Sequence, residues 1–223
     1  MISPLSHVAD GVELGENVVV EEFCLVGKHI GSAGTPLGTD GPVHTVIGAD
    51  STLRSHTVLY AGSTIGARFQ TGHHALVREC NTIADNVSIG SLSVVEHHVT
   101  IGVGVRIHSQ CFIPEYSVLE DGAWIGPRVT LTNAPFPRCP DVAKCLKGVY
   151  IGKDARVGAN VTILPGVRIG ERALIGAGAV VTKDVAPGMV VVGAAARPVK
   201  SIDELLCPEG LDHRPYPAKQ ELE

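Results

Sequence analysis

The sequence predicts an all-β protein built from short strands that repeat every six residues. An aliphatic residue recurs at this spacing through most of the chain, and Thr71 is the one interruption of the longest run. That run consists of Ile47, Leu53, Leu59, Ile65, Val77, Ile83, Ile89, Val95, Ile101, Ile107, Ile113, Leu119, Ile125 and Leu131. A period of six matches neither the ~3.6-residue period of a helix nor the alternation of a long strand. It fits a short strand, a tight turn and another short strand, with Gly or Asn where the turn needs a left-handed backbone.

The composition indicates a core of small and branched side chains. Of the 223 residues, 44% are hydrophobic but only 4% are aromatic. The net charge of −5, with no basic run, argues against nucleic acid or an anionic membrane as a partner. The N-terminus MISPLSHVAD lacks the basic and apolar regions of a signal peptide, and no stretch approaches the ~20 apolar residues of a membrane span. We therefore expect a cytoplasmic protein.

Two breaks in the six-residue period mark inserted loops. The first is the Gly/Pro/Thr-rich segment 31–45, which follows a weaker series of hexads near the N-terminus. The second is segment 132–149, after which the period resumes at Ile151 and continues to Val181. Loops of this length in a compact repeat are more often functional than not. We expect both to project from the repeat.

The C-terminal segment departs from the repeat. Ser201 and Glu204 have the spacing of a capping box, which predicts a short helix through Leu206. We accordingly divide the chain into a repeat domain, residues 1–200, and a short helix with a C-terminal tail, residues 201–223.

The hexads follow the pattern [LIV]-G-x-x-[STAV]-x, as in IGAD, IGAR and IGVG, and they resemble those of the hexapeptide-repeat proteins. This resemblance covers about residues 8–192. It implies a left-handed parallel β-helix in which three hexads form one triangular coil, so that residues eighteen apart stack. The handedness comes from the resemblance alone, because the general preference for right-handed crossovers predicts the opposite. A β-sandwich is the alternative, and it does not explain a strict period of six.

Stacking by eighteen residues brings four polar side chains to one edge of the predicted prism. Glu79, His97, Glu115 and Asn133 all occupy the third position of their hexads, on successive coils. Neighbouring coils should lie about 4.8 Å apart. We interpret His97 and Glu115 as catalytic residues, and Glu79 and Asn133 as substrate-binding residues. The alternative is a row of solvated surface groups.

His73 is the rival catalytic candidate. The pair His73-His74 lies in the hexad where Thr71 replaces the aliphatic residue, and His56 precedes His74 by eighteen residues. His73 falls on a different face from His97. The two histidines can therefore share a substrate only across a subunit interface.

The hexapeptide-repeat enzymes are mostly acyl-CoA-dependent acyltransferases, usually trimers with active sites between adjacent prisms. Segments such as IHSQCFIPEYSVLEDGAWIGPRVTLTN resemble the nucleotide-linked amino-sugar N-acyltransferases, especially the 3-amino-sugar group. In that group a Glu of an I-x-E sequence and the Asn of an Asn-Asp pair contact the sugar, and the matching residues here are Glu115 and Asn133. The resemblance implies an acetyl-CoA-dependent N-acetyltransferase and a homotrimer. Ala134 stands where the group has Asp, which leaves the particular sugar open.

Five residues are candidates for binding coenzyme A. Ala159 and Ala177 are eighteen residues apart, and stacked alanines would leave a flat strip for the pantetheine arm. Lys183, Arg197 and Lys200 could meet the phosphates of the cofactor, and the alternative is that they are solvated surface charges.

Four other functions remain as alternatives. An O-acetyltransferase or an amino-acid N-acyltransferase of the same fold is open. A γ-type carbonic anhydrase requires zinc histidines of which two lie five residues apart, and no pair among the ten histidines has that spacing. A non-catalytic scaffold explains the repeat but not the polar edge. The six cysteines show no zinc-like spacing, so we expect no metal.

Overall fold

The computed structural model describes residues 1–29, 44–137 and 142–204. Most strands are two residues long, and from β1 to β25 every third strand belongs to the same sheet. The chain therefore winds through three sheets in turn, and strands of neighbouring coils pair in parallel at a register of eighteen residues through the uninterrupted part of the repeat. The result is a three-sided parallel β-helix.

The first sheet contains nine parallel strands. They are β1 (His7–Val8), β4 (Leu25–Lys28), β7 (Val58–Tyr60), β10 (Leu76–Val77), β13 (Val94–Val95), β16 (Phe112–Ile113), β19 (Thr130–Leu131), β22 (Thr162–Ile163) and β25 (Val180–Val181).

The second sheet contains eight parallel strands. They are β2 (Val12–Leu14), β5 (Thr45–Ile47), β8 (Thr64–Ile65), β11 (Thr82–Ile83), β14 (Thr100–Ile101), β17 (Val118–Leu119), β20 (Tyr150–Ile151) and β23 (Arg168–Ile169).

The third sheet contains ten strands, of which the last is antiparallel to its neighbour. They are β3 (Val19–Val20), β6 (Thr52–Leu53), β9 (Gln70–Thr71), β12 (Ser88–Ile89), β15 (Arg106–Ile107), β18 (Trp124–Ile125), β21 (Arg156–Val157), β24 (Leu174–Ile175), β26 (Met189–Val192) and β27 (Arg197–Ser201). Two short helical segments complete the described elements, α1 (Val142–Cys145) and a 3₁₀ turn (Ile202–Glu204).

The repeating aliphatic residue of each hexad points into the prism and builds the core. Ile89, Val95 and Ile101, one from each sheet, are each at most 1% exposed. Burial of such a side chain contributes roughly 1.5–3 kcal/mol. Thr71 fits into this core because its hydroxyl is satisfied there: it lies 2.8 Å from the Thr57 hydroxyl and accepts the Arg54 backbone N–H at 3.0 Å.

The turns between sheets use the left-handed backbone region. In the described residues, sixteen non-glycine residues have φ between 54° and 64°, and most occupy the fourth position of a hexad. Each such residue costs about 1–2 kcal/mol relative to a right-handed backbone. The regular ladder of the coils is what compensates for this cost.

The turns form edges that run along the prism, and two of them carry the candidate residues. The His97 edge, between the first and second sheets, consists of Glu79, His97, Glu115, Asn133 and, farther along, Lys183. The His73 edge, between the third and first sheets, consists of Ser55, His73, Ser91, Ser109, Ala159 and Ala177. Both edges therefore border the first sheet.

The two insertions differ in detail from the prediction. Thr45, expected in the first loop, already belongs to β5, and residues 30–43 lie outside the described residues. The second insertion leaves the repeat after β19, contains α1 and returns at β20. Val149, expected in that loop, is only 1% exposed and belongs to the core.

The C-terminal capping box is present, but the helix it caps is only a 3₁₀ turn. The Ser201 backbone N–H donates to Oε1 of Glu204 at 2.9 Å, and the Asp203 N–H donates to the Ser201 hydroxyl at 3.3 Å. The predicted continuation to Leu206 lies outside the described residues. No described helix has the length and apolar character that crossing a membrane would need.

Candidate functional site

Three of the predicted side chains, those of His97, Glu115 and Asn133, are spatial neighbours along the His97 edge. Nε2 of His97 is 3.7 Å from Oε1 of Glu115, and Nδ2 of Asn133 donates to Oε2 of Glu115 at 2.7 Å. The side chains of His97 and Glu115 are 13% and 24% exposed, and Asn133 is 9% exposed. The edge thus presents an imidazole and a carboxylate that are largely desolvated but still reachable from solvent.

The second insertion fixes Asn133 at the start of the loop. The Lys147 backbone N–H donates to the Asn133 carbonyl at 2.8 Å, which closes the base of the loop. Gly148 packs so closely on the backbone of Tyr116 that an added Cβ would lie 2.0 Å from its carbonyl oxygen. The returning chain is therefore held against the coil that carries Glu115.

Glu79 does not belong to the accessible part of this edge. Its side chain is fully buried, and Arg78 clamps it with two hydrogen bonds, from Nε to Oε2 at 2.7 Å and from Nη2 to Oε1 at 2.8 Å. The prediction that Glu79 contacts substrate is wrong for this reason, since the Arg78 guanidinium already occupies both carboxylate oxygens. Glu79 instead anchors the coil below His97.

Sequence reasoning missed Arg78 and Glu96, which extend this ion pair toward His97. Nη1 of Arg78 donates to Oε2 of Glu96 at 3.1 Å, so one guanidinium links two carboxylates. A signal was available, because Arg78 and Glu96 are eighteen residues apart and must stack. Burial raises the pKa of the Glu96 carboxyl, and the Arg78 charge opposes that shift.

His98 is the other residue that sequence reasoning left without a role. Nδ1 of His98 lies 2.8 Å from Nδ1 of His97, and the two rings meet edge to face with centroids 4.9 Å apart. Tyr116, one coil farther on, has its ring centroid 5.9 Å from that of His97 and 5.8 Å from that of His98. Partial desolvation lowers the pKa of His98, and the neighbouring His97 adds to the effect while Glu79 opposes it.

The His73 edge carries a separate polar cluster. Nδ1 of His73 lies 2.9 Å from the Ser55 hydroxyl, and the His73 backbone N–H donates to the Ser91 hydroxyl at 3.0 Å. The neighbouring His56 and His74 stack with their centroids 4.4 Å apart. No carboxylate lies against the His73 ring in the contacts described, which distinguishes this cluster from that of His97.

A groove of about 390 Å³ runs beside His73 on the outer face of the third sheet. Arg54 and Arg106 line it, but both are engaged with the protein itself. Nη1 of Arg54 donates to the Thr71 carbonyl at 2.9 Å, and Nη1 of Arg106 donates to the Asn86 carbonyl at 2.8 Å. The groove is therefore polar but its guanidinium groups are already partnered.

The five residues predicted to bind coenzyme A fall in two places. Ala159 and Ala177 stack on the His73 edge, where Ala177 is exposed and its backbone N would lie 2.6 Å from a Cβ added at Gly158. Lys183 and Arg197 instead line a cavity of about 530 Å³ at the C-terminal end of the prism. Lys200 is exposed on β27 and is not among the residues that line this cavity. The alanine strip and the three cationic residues thus lie at different places on the prism, and their role in binding coenzyme A stays a prediction.

Metal-ligating side chains do not cluster in the part of the chain that the structure describes. Within those residues there is no group of three or more His, Cys, Asp or Glu side chains placed to hold an ion.

Comparison with known proteins finds hexapeptide repeats and acetyltransferase relatives. The family described as bacterial transferase hexapeptide (six repeats) matches residues 148–183. The galactoside O-acetyltransferase of Escherichia coli is 28% identical over 159 residues, 64% of this chain and 78% of that protein. The 2,3,4,5-tetrahydropyridine-2,6-dicarboxylate N-acetyltransferase of Halalkalibacterium halodurans is 36% identical over 122 residues, 55% of this chain and 51% of that protein. This chain thus spans about half the length of the second relative.

The fold is shared with a solved acetyltransferase. The polySia specific acetyltransferase NeuO aligns over 86% of this chain and 88% of its own, with a TM-score of 0.53 and 19% identity. At this identity the likeness concerns the fold, and it agrees with the predicted left-handed parallel β-helix. The hexapeptide repeats at residues 148–183 and the two acetyltransferase relatives support an acyltransferase activity for this chain.

Proposed function

We propose that the protein transfers the acetyl group of acetyl-CoA to the amine of a nucleotide-linked amino sugar in the cytoplasm. The observation that carries this proposal is the row His97–Glu115–Asn133, in which an imidazole nitrogen and a carboxylate oxygen lie 3.7 Å apart on an accessible edge. Glu115 and Asn133 are also the two residues that match the sugar contacts of the amino-sugar N-acyltransferases.

The reaction requires little covalent chemistry from the protein. The nitrogen of the acceptor amine forms a bond to the thioester carbon and gives up a proton, and the C–S bond breaks. Coenzyme A leaves as a thiolate, which takes up that proton. Nε2 of His97 is placed to take the proton, and the adjacent Glu115 carboxylate stabilises the imidazolium that forms. A general base contributes typically 10²–10⁴-fold, and positioning of the two substrates contributes more.

Asn133 restricts what Glu115 can do. Because Oε2 of Glu115 accepts the Asn133 amide, the carboxylate is held with Oε1 turned toward His97. A carboxylate fixed in this way can accept hydrogen bonds from a sugar hydroxyl or an ammonium group. In this proposal Glu115 orients the substrate, and the neighbouring Nε2 of His97 takes the proton.

For the acyl donor, we propose the His73 edge at Ala159 and Ala177 as the surface for the pantetheine arm. The small side chains and the exposed position of Ala177 leave backbone groups accessible to an extended chain. Lys183 and Arg197, at the C-terminal end, are the candidates for the phosphates. Ala159 and Ala177 lie on the His73 edge, Lys183 lies on the His97 edge, and Arg197 lines the cavity at the C-terminal end. We propose that these groups are combined where two protomers meet.

We further propose that the protein is a homotrimer that packs through the first sheet. The outward side chains of this sheet form an in-register apolar row, Leu25, Val58, Leu76, Val94 and Phe112. Leu25 is 39% exposed and Phe112 is 37% exposed, which is unusual for an outer face left in water. Both candidate edges border this sheet, so a protomer packed on it would bring a His73 edge close to a His97 edge.

Assembly can be tested with a matched pair of variants. Val94→Glu places a charge in the centre of the apolar row, and Thr100→Glu places the same charge at the equivalent hexad position of the second sheet. Sedimentation should give a trimer for the unchanged protein and for Thr100→Glu, and a monomer for Val94→Glu. A monomer in all three cases would contradict the assembly.

An O-acetyltransferase is the second candidate, because of the two sequence relatives described the E. coli galactoside O-acetyltransferase is matched over the larger share of its own length. The same histidine could deprotonate a hydroxyl. The two functions differ in the product, since an N-acetyl group survives mild alkali and an O-acetyl ester does not.

The function is tested by incubating the protein with acetyl-CoA and a panel of nucleotide-linked sugars that differ only in an amine or a hydroxyl. Mass spectrometry should detect an acetyl group on the amino sugars, and His97→Ala should lower turnover by about 10² or more. His7→Ala, at an exposed histidine far from the row, should retain full activity. Acetylation of hydroxyl acceptors alone would establish the O-acetyltransferase instead, and equal activity of His97→Ala would remove His97 as the base.

A further inference from the structure

The hydrogen bond between His97 and His98 sets the position of a proton. Two Nδ1 atoms 2.8 Å apart require that one carry a hydrogen and the other a lone pair. The donor is then either His97 or His98. These two arrangements have opposite consequences for the nitrogen of His97 that faces Glu115.

If His98 donated, neutral His97 would carry its own hydrogen on Nε2. That nitrogen could then not accept a proton from a substrate. The 3.7 Å between Nε2 of His97 and Oε1 of Glu115 is also longer than a hydrogen bond, so a hydrogen on Nε2 would be poorly placed to donate.

If His97 donates instead, its Nε2 carries a lone pair and is available as a base. The same hydrogen bond then persists after proton uptake, because an imidazolium has hydrogens on both nitrogens and His98 still accepts. Only this arrangement serves both protonation states without rotation of either ring. Such a site needs no reorganisation at the moment of transfer.

The surroundings of His98 fix its ring and favour its neutral form, which the accepting role requires. Its backbone N–H donates to the Glu79 carbonyl at 3.3 Å, and Tyr116 covers one side of its ring, so its position is defined from two neighbouring coils. Partial desolvation lowers the pKa of His98, the neighbouring His97 lowers it further, and the Glu79 carboxylate, which is paired with Arg78, opposes the shift. A neutral ring keeps a nitrogen lone pair that an imidazolium lacks.

We propose that His98 is a positioning residue, which accepts the Nδ1 hydrogen of His97 and thereby leaves Nε2 of His97 free to take the substrate proton. This inference rests on the proposed role of His97 as the base. It assigns to the second histidine of the sequence VEHHVT a task distinct from that of the first.

Replacing His98 with Asn or with Leu separates this role from a structural one. Both residue types occur at the same hexad position elsewhere in the chain. Asn86 has φ of 60° and Leu92 has φ of 59°, against 57° for His98. His98→Asn keeps the left-handed backbone and places an oxygen acceptor where Nδ1 stands, whereas His98→Leu keeps the turn without an acceptor. Gln110→Leu, at φ of 63° on the His73 edge, is the matched control for a leucine in this position.

The direct readout is the ¹⁵N spectrum of the histidine rings, which distinguishes an Nδ1–H from an Nε2–H imidazole and does not depend on turnover. The neutral His97 ring should be the Nδ1–H form in the unchanged protein, in His98→Asn and in Gln110→Leu. In His98→Leu it should shift toward the Nε2–H form. An Nε2–H ring in the unchanged protein, or no change in His98→Leu, would overturn the proposal.

Kinetics give the second readout. Loss of a hydrogen bond to a charged group corresponds to about tenfold or more, so His98→Leu should lower kcat by at least that factor with KM for the acceptor little changed. His98→Asn should recover kcat to within about threefold, and Gln110→Leu should be fully active. A raised KM with unchanged kcat in His98→Leu would contradict the positioning role. A protein without acetyltransferase activity would overturn the proposed function, while the ¹⁵N result would still decide the tautomer.

Discussion

Asn133 donates its side-chain amide to Oε2 of Glu115 at 2.7 Å, across eighteen residues of sequence and one step of the prism. The bond leaves only Oε1 of the carboxylate directed toward His97. The orientation of Glu115 is thus set by the residue at which the second insertion begins, which couples the loop to the row of candidate catalytic groups.

Glu115→Gln should separate charge from shape at this position. The amide retains the size of the carboxylate but cannot stabilise an imidazolium, so we expect kcat to fall by about 10² while the fold is retained. Steady-state kinetics and thermal unfolding measure the two effects. Glu171→Gln, at an exposed glutamate on another turn, should change neither. Normal turnover in Glu115→Gln would exclude a role for the charge.

Ala177→Phe should weaken coenzyme A binding without unfolding the protein. Ala177 is exposed, so a larger side chain meets no core atoms but covers the strip proposed for the pantetheine arm. Isothermal titration with coenzyme A should show at least a tenfold higher Kd. Val103→Phe, at the same hexad position on the third edge and 49% exposed, is the matched control and should bind normally. Equal affinity of both variants would place the cofactor elsewhere.

Arg78→Ala should lower the free energy of unfolding strongly for a partly exposed residue. It leaves the fully buried Glu79 carboxylate without its partner, and removal of one member of a buried pair costs about 3–5 kcal/mol. Urea unfolding measures this loss. Arg172→Ala breaks the exposed pair with Asp203, whose side chains are 30% and 52% exposed, and should cost under about 1 kcal/mol. Similar losses in the two variants would mean that Glu79 relaxes into water.

His98 should make a small pH-dependent contribution to stability. Its pKa is lowered in the folded chain, chiefly by partial desolvation, with a smaller effect of His97 and an opposing one of Glu79. An unfolded histidine titrates near ~6.5, so below that pH the unfolded chain binds a proton that the folded chain does not. The free energy of unfolding should therefore be highest above ~6.5 and fall as the pH decreases through that value.

An NMR titration of His98 in the folded and urea-unfolded chain checks the direction of this shift. Urea unfolding at a pH above and a pH below ~6.5 checks the linkage, and the loss should be smaller in His98→Asn. Because the ring is partly exposed, the effect is modest, and an equal loss in both proteins would assign it to other groups.

The fold and the row on the His97 edge could be predicted because both depend only on spacing. Once the coil length is eighteen, the stacking of His97, Glu115 and Asn133 follows without knowledge of any side-chain angle. The same arithmetic separates Ala177 from Lys183, since a difference of six moves a residue to the next edge. The residue numbers alone therefore predict that these two residues lie on different edges.

The burial of Glu79 and the role of His98 could not be predicted in this way. Third positions usually face solvent, whereas the Glu79 side chain is fully buried and is paired with the Arg78 guanidinium. The contact between His97 and His98 joins consecutive residues, so it depends on two side-chain rotamers rather than on the period. Spacing determines which residues are neighbours, and rotamers determine which atoms meet.

The reversal of β27 has a consequence for the ends of the prism. A stack of parallel strands has no intrinsic length, because its last strand offers the same row of unpaired N–H and C=O groups that each earlier strand offered to its successor. In the third sheet, β27 occupies that row while running antiparallel to β26. A further coil, from this chain or from another, can no longer add there in the repeat's own direction. In the third sheet, the parallel ladder of the repeat thus stops at β26, and the edge of the sheet is an antiparallel strand.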